Sequence, residues 1–268
     1  MSLLSPERLL VVLALQRVEL WRRTGLGRSA GDYQSAACAQ APGGESWRPA
    51  VEAMARLLAR TPRPGAAMDV ALSSHFVRFQ LVPWQAELSD AEERLAYARY
   101  LFRDVYGSLA DAWEVRLSEE PPGAPAVACA IDGALLEALR RTADEAHCRL
   151  RSVQPGYAAA FNRRRRALRG DCVAFAMAEP GRVCLGLLRN ERWVALRNQG
   201  SGEDIAQTLS SMLDQAALAI EPPLAGATVY LGQVDGAGMP QTLGARWPLQ
   251  RLTAAASEAR AGWLAWCA

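Results

Sequence analysis

Few side chains in this sequence are spaced as catalytic or metal-binding residues would be. Only two histidines occur, His75 and His147, and they lie far apart in the chain. The six cysteines are equally scattered and form no C-x-x-C pair, whereas a zinc site needs clustered ligands at set spacing. We therefore expect no metal site, and we expect the cysteines to be reduced thiols that pack as small hydrophobic side chains.

Two further features bear on catalysis. Residues 27–31 read G-x-S-x-G, the pattern of a nucleophile elbow, which must join a buried strand directly to a helix. The residues that follow alternate like a strand, so a simple turn is the better interpretation. All 30 basic residues are arginine, and the absence of lysine excludes a Walker A phosphate loop, Schiff-base chemistry and pyridoxal-phosphate chemistry.

The composition describes a protein with ample material for a core. Half of the 268 residues are hydrophobic, and the net charge is only +2, which is not the pattern of a nucleic-acid-binding protein. The apolar run Leu9–Leu15 is too short to span a bilayer, and the N-terminus lacks the pattern of a signal peptide. We predict a cytoplasmic protein.

The elements that must position any site alternate between strands and helices. The N-terminal segments predict a β-meander and a helix, and Met68–Leu72 and Phe76–Val82 predict two further strands. A capping-box pattern, Ser89-x-x-Glu92, then begins an amphipathic helix, and Gly107 ends it. The predicted apolar stripe of this helix consists of Leu95, Ala98, Leu101, Phe102 and Val105.

The Pro-rich segment 119–125 is the clearest internal boundary. Beyond it the pattern predicts a strand, a helix capped by Asp132, another strand and helix, and a second meander over 172–196. A third helix and a late strand follow. The order of elements predicts a mixed α/β fold of two related halves, residues 1–122 and 123–268.

Several segments carry a family resemblance. They are Val70–Trp84 with the acidic helix after it, Val127–Glu137, Ser152–Gly156 and Arg197–Gly200. Together they resemble the PilM family and the related cytoplasmic domains of secretion-system L proteins. The resemblance implies a duplicated actin-like (ribonuclease-H-like) fold, with a small subdomain inserted in the first half at about 73–110.

The same resemblance implies a function. Proteins of this family are non-catalytic cytoplasmic scaffolds of type IV pilus or related envelope assembly machines, and they lie at the inner face of the inner membrane. Their partner is PilN, a bitopic inner-membrane protein that contributes a short cytoplasmic N-terminal segment. We therefore expect a PilN-like partner and no nucleic acid.

The inserted subdomain would help to form the groove for that segment. An extended peptide with apolar anchors can fit a groove beside exposed strands. The candidate wall residues are Phe76, Phe79, Trp84, Tyr97 and Leu101. The alternative for each of them is an ordinary place in the core.

The resemblance also raises the question of nucleotide. An active actin-like site needs two turns that hold phosphates and an acidic residue for Mg²⁺. The first predicted turn, residues 13–17, has neither Asp nor Gly, and the second, residues 174–181, has no Asp. Glu179 could replace the missing ligand, but we expect it to lie in a solvated hairpin turn.

We therefore expect a pseudo-ATPase without a bound cofactor. The sequence leaves weak ATP binding open, together with two alternatives. One is an actin-like ATPase with non-standard phosphate turns, and the other is a divergent actin-like adaptor of a secretion system.

A run of four arginines, Arg163, Arg164, Arg165 and Arg166, is the strongest local charge. It suits an anionic partner, and acidic lipid is favoured over nucleic acid because no aromatic residues are interleaved with the run. The alternative is a solvated helix end, where arginine also suits the helix dipole. The resemblance implies a location peripheral to the inner membrane, and the sequence leaves open a direct contact through this run.

Overall fold

Two five-stranded sheets and one three-stranded sheet organise the chain. The structure is a computed structural model that describes residues 7–23, 32–39, 45–88, 90–234, 240–253 and 262–267. The strands and α-helices of these residues are, in chain order, β1 (Arg8–Leu13), β2 (Arg17–Arg23), β3 (Asp32–Ala37), α1 (Arg48–Arg60), β4 (Ala67–Leu72), β5 (Arg78–Val82), α2 (Ala91–Tyr106), β6 (Trp113–Leu117), β7 (Ala126–Asp132), α3 (Gly133–Glu145), β8 (Arg149–Pro155), α4 (Gly156–Arg164), β9 (Cys172–Glu179), β10 (Arg182–Arg189), β11 (Arg192–Gly200), α5 (Ile205–Leu218), β12 (Thr228–Gln233), β13 (Leu249–Arg251) and α6 (Leu264–Cys267).

The first compact unit comprises residues 1–77, 132–163 and 254–268. Its sheet has the order β3-β2-β1-β4-β8, with β1 antiparallel to β2 and parallel to β4, and with β4 parallel to β8. Val11, Val12 and Leu13 of the central strand β1 are all buried. Consecutive side chains of a strand point to opposite faces, so both faces of β1 are covered, and this explains its continuous apolar run. Helix α1 packs against the first three strands.

Asp132 caps α3, as the sequence predicts. One oxygen of its carboxylate accepts a hydrogen bond from the Ala134 backbone N–H at 2.9 Å. The other accepts one from the Trp47 indole N–H at 3.0 Å. A single carboxylate therefore satisfies a helix end and joins it to the residue that precedes α1.

The second compact unit comprises residues 78–131 and 164–253. Its large sheet has the order β11-β10-β9-β12-β13. Strands β9, β10 and β11 form the predicted meander, and β12 pairs in parallel with β9. Helix α5 covers one face of this sheet, where Leu209, Met212 and Leu213 pack against alternate residues of β9 and β10.

The three-stranded sheet of this unit, which we call the small sheet, has the order β5-β7-β6. Helix α2 covers one face, and Ala98 and Phe102 pack there against Val82, Val115 and Ala128. The capping box of α2 consists of Asp90 and Glu93, because the Asp90 carboxylate accepts from the Glu93 backbone N–H at 2.7 Å. The sequence predicted the box one residue earlier.

Two features of α2 complete the comparison with its pattern. Gly107 ends the helix with φ of +63°, a conformation that favours glycine. Val105 was predicted to face the core, but its side chain is 58% exposed. The predicted apolar stripe is therefore wrong at its last member.

The two large sheets repeat one pattern, an antiparallel meander followed by two parallel strands, so the prediction of two related halves is confirmed. The boundary predicted at 122/123 needs correction, because it separates β4 from β8, which pair within one sheet. The last strand of the first large sheet ends at Pro155, and the first strand of the second large sheet begins at Cys172. The inserted segment was predicted at 73–110. In the structure the corresponding segment of the second unit is longer, residues 78–131, because β7 completes the small sheet.

Among the described residues, no helix is both long and apolar enough to cross a membrane.

Candidate partner-binding site

A pocket opens at the end of the small sheet, beside Trp84. Its apolar lining includes Val82, Leu88, Leu117 and Ala126, and its polar lining includes Arg94 and Glu120. We call it the Trp84 pocket. It brings together the end of β5, the start of α2 and the turn between β6 and β7, which all belong to the second unit.

The local sequence explains why the chain opens here. Pro83 cannot donate to a sheet ladder, so β5 ends at Val82. On the other side, the Ser118 backbone N–H donates to the Val127 carbonyl at 2.8 Å, and the Ser118 hydroxyl accepts from the Val127 N–H at 2.9 Å. Gly123, with φ of +82°, then allows the turn that returns the chain to β7. The predicted domain boundary at 119–125 is thus one wall of the pocket.

Trp84 is 45% exposed, and it is one of five exposed large hydrophobic side chains among the described residues. A tryptophan that belonged to the core would be almost fully covered. Of the five predicted groove residues, Trp84 is therefore the one with the clearest surface position. It lies in the lining of the pocket together with Pro83.

Tyr97 and Leu101 lie on α2 and are half-buried. Both pack against the core between α2 and the small sheet. Tyr97 also stacks on Tyr100, with ring centroids 6.3 Å apart, and Tyr100 is largely exposed. Tyr97 and Leu101 thus form part of the helix surface as well as of its core, and their role in a groove stays a prediction.

Phe76 and Phe79 do not have the position that the sequence prediction assigned to them. Both are buried, with 7% and 8% exposure. Phe79 pairs in register with Cys129, whereas Val82 packs on the α2 side of the small sheet. Because side chains alternate along a strand, Phe79 faces away from α2. The alternative assignment, a place in the core, is the correct one for these two phenylalanines.

The border of the Trp84 pocket is acidic. Glu87 lies between the lining residues Gln85 and Leu88, and Glu119 lies beside the lining residue Glu120. The two segments that line the pocket, 82–94 and 117–126, carry six carboxylates and one arginine, Arg94. The two segments together therefore carry a net negative charge.

Both charged residues of the lining are held by neighbours. The Arg94 Nε–H donates to the Asp90 carbonyl at 3.3 Å, at the first turn of α2. A Glu120 oxygen accepts a hydrogen bond from the Ser118 hydroxyl at 3.0 Å. Sequence reasoning missed both residues, although the Glu119-Glu120 pair before the Pro-rich turn was a visible signal.

The turns that correspond to the predicted phosphate turns are tight hairpins. In the first, the Ala14 N–H donates to the Arg17 carbonyl at 3.0 Å. In the second, Pro180 and Gly181 connect β9 to β10. Within the described residues, no three His, Cys, Asp or Glu side chains lie close enough together to hold a metal ion.

Glu179 lies at the end of β9 and is only 4% exposed, so the expectation of a solvated turn residue is wrong. Its charge acts on Arg182, the first residue of β10. Burial lowers the pKa of Arg182 below its ordinary value, the nearby Arg78 lowers it further, and Glu179 opposes both. The end of the hairpin thus places a buried carboxylate near two half-buried arginines.

The arginine run lies where α4 ends. Arg163 and Arg164 are the last residues of α4, and Arg165 and Arg166 begin a short 3-10 helix. Arg164 is half-buried and the other three are exposed. Three of the four side chains are thus accessible to an anionic partner, and contact with a membrane stays a prediction.

The remaining candidates for chemistry show no reactive arrangement within the described part of the chain. The six cysteines are free thiols, and burial raises the pKa of Cys38 to about 11, with a contribution from Arg56 that opposes it. Burial also raises the pKa of Cys148. His147 is exposed at the end of α3, and the G-x-S-x-G motif at 27–31 lies outside the described residues.

Comparison with known proteins defines the class of the fold. No protein-family model and no curated protein matches the sequence. Solved structures do match. The cytoplasmic domain of EpsL, an inner-membrane component of the type II secretion system of Vibrio cholerae, aligns with a TM-score of 0.61 at 12% identity, covering 92% of this chain and 89% of that one.

Two further structures give the same result. A Bacteroides thetaiotaomicron protein with an actin-like ATPase fold and unknown function aligns with a TM-score of 0.58 at 11% identity, covering 88% of this chain and 85% of that one. The PilM-PilN type IV pilus biogenesis complex aligns with a TM-score of 0.58 at 13% identity, covering 84% and 81%. The chain therefore has the actin-like fold, as predicted, and its structural neighbours include components of secretion and pilus systems.

Proposed function

We propose that this chain is a non-catalytic scaffold of a type IV pilus or related envelope assembly machine, and that it binds the short cytoplasmic N-terminal segment of a PilN-like bitopic membrane protein. The exposed Trp84 in its pocket is the observation that carries the proposal. The likeness of the fold to the EpsL cytoplasmic domain and to the PilM-PilN complex supports the choice of machine.

The physics of the pocket suits a short peptide. Tryptophan is among the residues most enriched at binding hot spots, because it buries a large area when it enters a contact. Leu88 and Leu117 are half-buried apolar residues of the lining, which an anchor side chain would cover. The polar residues of the lining, Glu120 and Arg94, would fix the orientation of the peptide backbone or of its charged side chains.

A scaffold role agrees with the chemistry of the chain. The hairpin turns that would hold phosphates in an actin-like ATPase carry no aspartate. The only acidic side chain in the second turn region, Glu179, is buried beside Arg182, which makes it a poor ligand for Mg²⁺. The protein then acts by holding partners in place, with no cofactor, and the partner brings it to the inner membrane.

Co-purification tests this function directly. The chain is co-expressed with a PilN-like membrane protein from the same organism and, separately, with a version of that protein that lacks its cytoplasmic N-terminal segment. We expect the full-length partner to retain the chain in detergent extracts and the truncated one to release it. Equal retention by both versions would contradict the proposal.

A further inference from the structure

The acidic border of the Trp84 pocket defines what kind of peptide it accepts. We infer that the pocket selects a segment in which a lysine or arginine lies beside an apolar residue, with the cation placed over the exposed face of Trp84. This inference rests on the proposed function, since it names the chemistry of the partner segment at the same site.

The segments that line the pocket carry a net negative charge. Six carboxylates and one arginine occupy the two lining segments, and Arg94 is already engaged with the Asp90 carbonyl. Glu87 and Glu119 are exposed, and each is next in sequence to lining residues. The net negative charge of these segments attracts a cation.

An exposed indole, that of Trp84, lies in the same pocket lining as the carboxylate of Glu120. A guanidinium or ammonium group over the face of tryptophan is attracted by the ring, and the attraction grows when the group is partly desolvated. Glu120 is held by the Ser118 hydroxyl at 3.0 Å and lines the same pocket as Trp84. A cation above the indole would therefore find a fixed carboxylate near it.

The proposed partner is expected to carry the complementary charge. Cytoplasmic segments that flank membrane-spanning helices carry an excess of lysine and arginine. The cytoplasmic end of a bitopic inner-membrane protein therefore has the charge that the border of the pocket complements. Apolar neighbours of the basic residue would cover Leu88 and Leu117.

The test uses two peptides and two variants of the full chain. The peptides are the cytoplasmic N-terminal segment of the PilN-like protein and the same segment with each Lys and Arg changed to Gln. The first variant is Glu119→Gln with Glu120→Gln, which keeps the shape and an acceptor for Ser118. The control is Glu52→Gln with Glu203→Gln, two exposed carboxylates far from the pocket in sequence.

We expect the Glu119→Gln, Glu120→Gln variant to bind the native peptide about tenfold more weakly, with a smaller loss at high salt. The control should bind like the wild type. The neutral peptide should bind the wild type and the variant equally. The two carboxylates and the basic residues of the peptide would then be energetically coupled, which a double-mutant cycle detects. Fluorescence anisotropy with labelled peptide gives all of these affinities.

The results distinguish a failure of this inference from a failure of the proposed scaffold function. If binding depends on Trp84 but neither carboxylate change nor neutral peptide alters it, the inference fails and the scaffold function stands. If the native peptide does not bind at all, both fail. If the chain instead self-associates through the Arg163–Arg166 run of a second copy, it will sediment as an oligomer without peptide, and the inference is overturned.

Discussion

The carboxylate of Glu19 accepts a hydrogen bond from the backbone N–H of Leu264 across 2.9 Å, which ties β2 to the last described helix, α6. Glu19 is 1% exposed, and its other oxygen pairs with Arg17 at 2.6 Å. Trp263 and Leu264 are buried in the same unit. The C-terminal residues therefore complete the core of the first unit through one buried carboxylate.

Gly262 makes this connection possible, and its replacement should be costly. It adopts φ of +61°, and a Cβ atom there would lie 1.9 Å from the Glu19 Oε1 atom. We predict that Gly262→Ala lowers the free energy of unfolding by about 3 kcal/mol, from backbone strain and displacement of the carboxylate. Urea unfolding measures this loss.

Gly65→Ala is the matched control for that variant. Gly65 has φ of +80°, and no atom lies within 4 Å of the place that a Cβ would occupy, so this change carries only the backbone cost, about 1–2 kcal/mol. If the two variants lose the same stability, the contact between Gly262 and Glu19 has no energetic role.

Stability should fall in acid because of Asp69. Burial raises the pKa of this carboxyl, but hydrogen bonds from Arg151 and Ser152, together with the charges of Arg151 and Arg8, outweigh burial and lower the pKa below its ordinary value. A depressed pKa contributes stability above the pKa of the unfolded chain, and that contribution disappears as pH falls through the folded pKa. We predict that Asp69→Asn destabilises the protein at about pH 7 and that the difference from wild type shrinks towards about pH 3.

Urea unfolding at the two pH values checks this prediction. Glu52→Gln, a change of an exposed carboxyl on α1, is the control and should shift stability little at either pH. A constant difference between Asp69→Asn and wild type at both pH values would mean that the ion pair does not carry the acid sensitivity.

Local patterns predicted the elements well because their causes are local. The continuous apolar run of β1, the Asp132 cap and the Gly107 helix end all depend on residues within a few positions of each other. The partners of the strands depend on distant residues. Nothing near Met68 or Ser152 in sequence specifies that β4 and β8 pair in parallel, so the boundary at 122/123 was misplaced.

The exposure of the candidate residues was predicted in part for the same reason. Trp84 follows a proline that ends a strand, and this local signal places it correctly at the surface. Phe79 faces away from α2 and is nevertheless buried, so its burial depends on packing at the other face of the small sheet, which residues near it in sequence do not specify. Glu179 was misjudged likewise, because its burial beside Arg182 is set by packing around the hairpin.

We predict that Mg²⁺-ATP neither stabilises the protein nor is hydrolysed by it. Residues 13–17 and 174–181 carry no aspartate that would hold the metal ion. A ligand present at about 100 times its Kd would stabilise the folded chain by roughly 2.7 kcal/mol, which thermal unfolding detects easily. A stabilisation that requires Mg²⁺, and that EDTA removes, would make the chain a nucleotide-binding member of its fold class.

The arginine run should mediate any binding to acidic membranes. Changing Arg163, Arg164, Arg165 and Arg166 to Gln should abolish co-sedimentation with liposomes that contain anionic lipid, and added salt should weaken binding of the wild type. Arg56→Gln with Arg60→Gln, on α1, is the control and should bind like wild type. If the run variant sediments as the wild type does, the arginines form only a solvated surface.

In the proposed function Trp84 is a binding residue and not a core residue, and one variant tests this in two measurements. Trp84→Ala should weaken binding of the PilN-like N-terminal peptide by roughly 2 kcal/mol or more, as expected of an aromatic hot spot. Leu218→Ala, at a side chain that is 73% exposed on α5, is the control and should bind normally.

The second measurement is urea unfolding of the same Trp84→Ala protein. With the indole 45% exposed, we predict a loss of about 1 kcal/mol or less. A buried tryptophan would cost about 3–5 kcal/mol. Weakened peptide binding with nearly unchanged stability is the result that the scaffold function predicts, and a large loss of stability with unchanged affinity would contradict it.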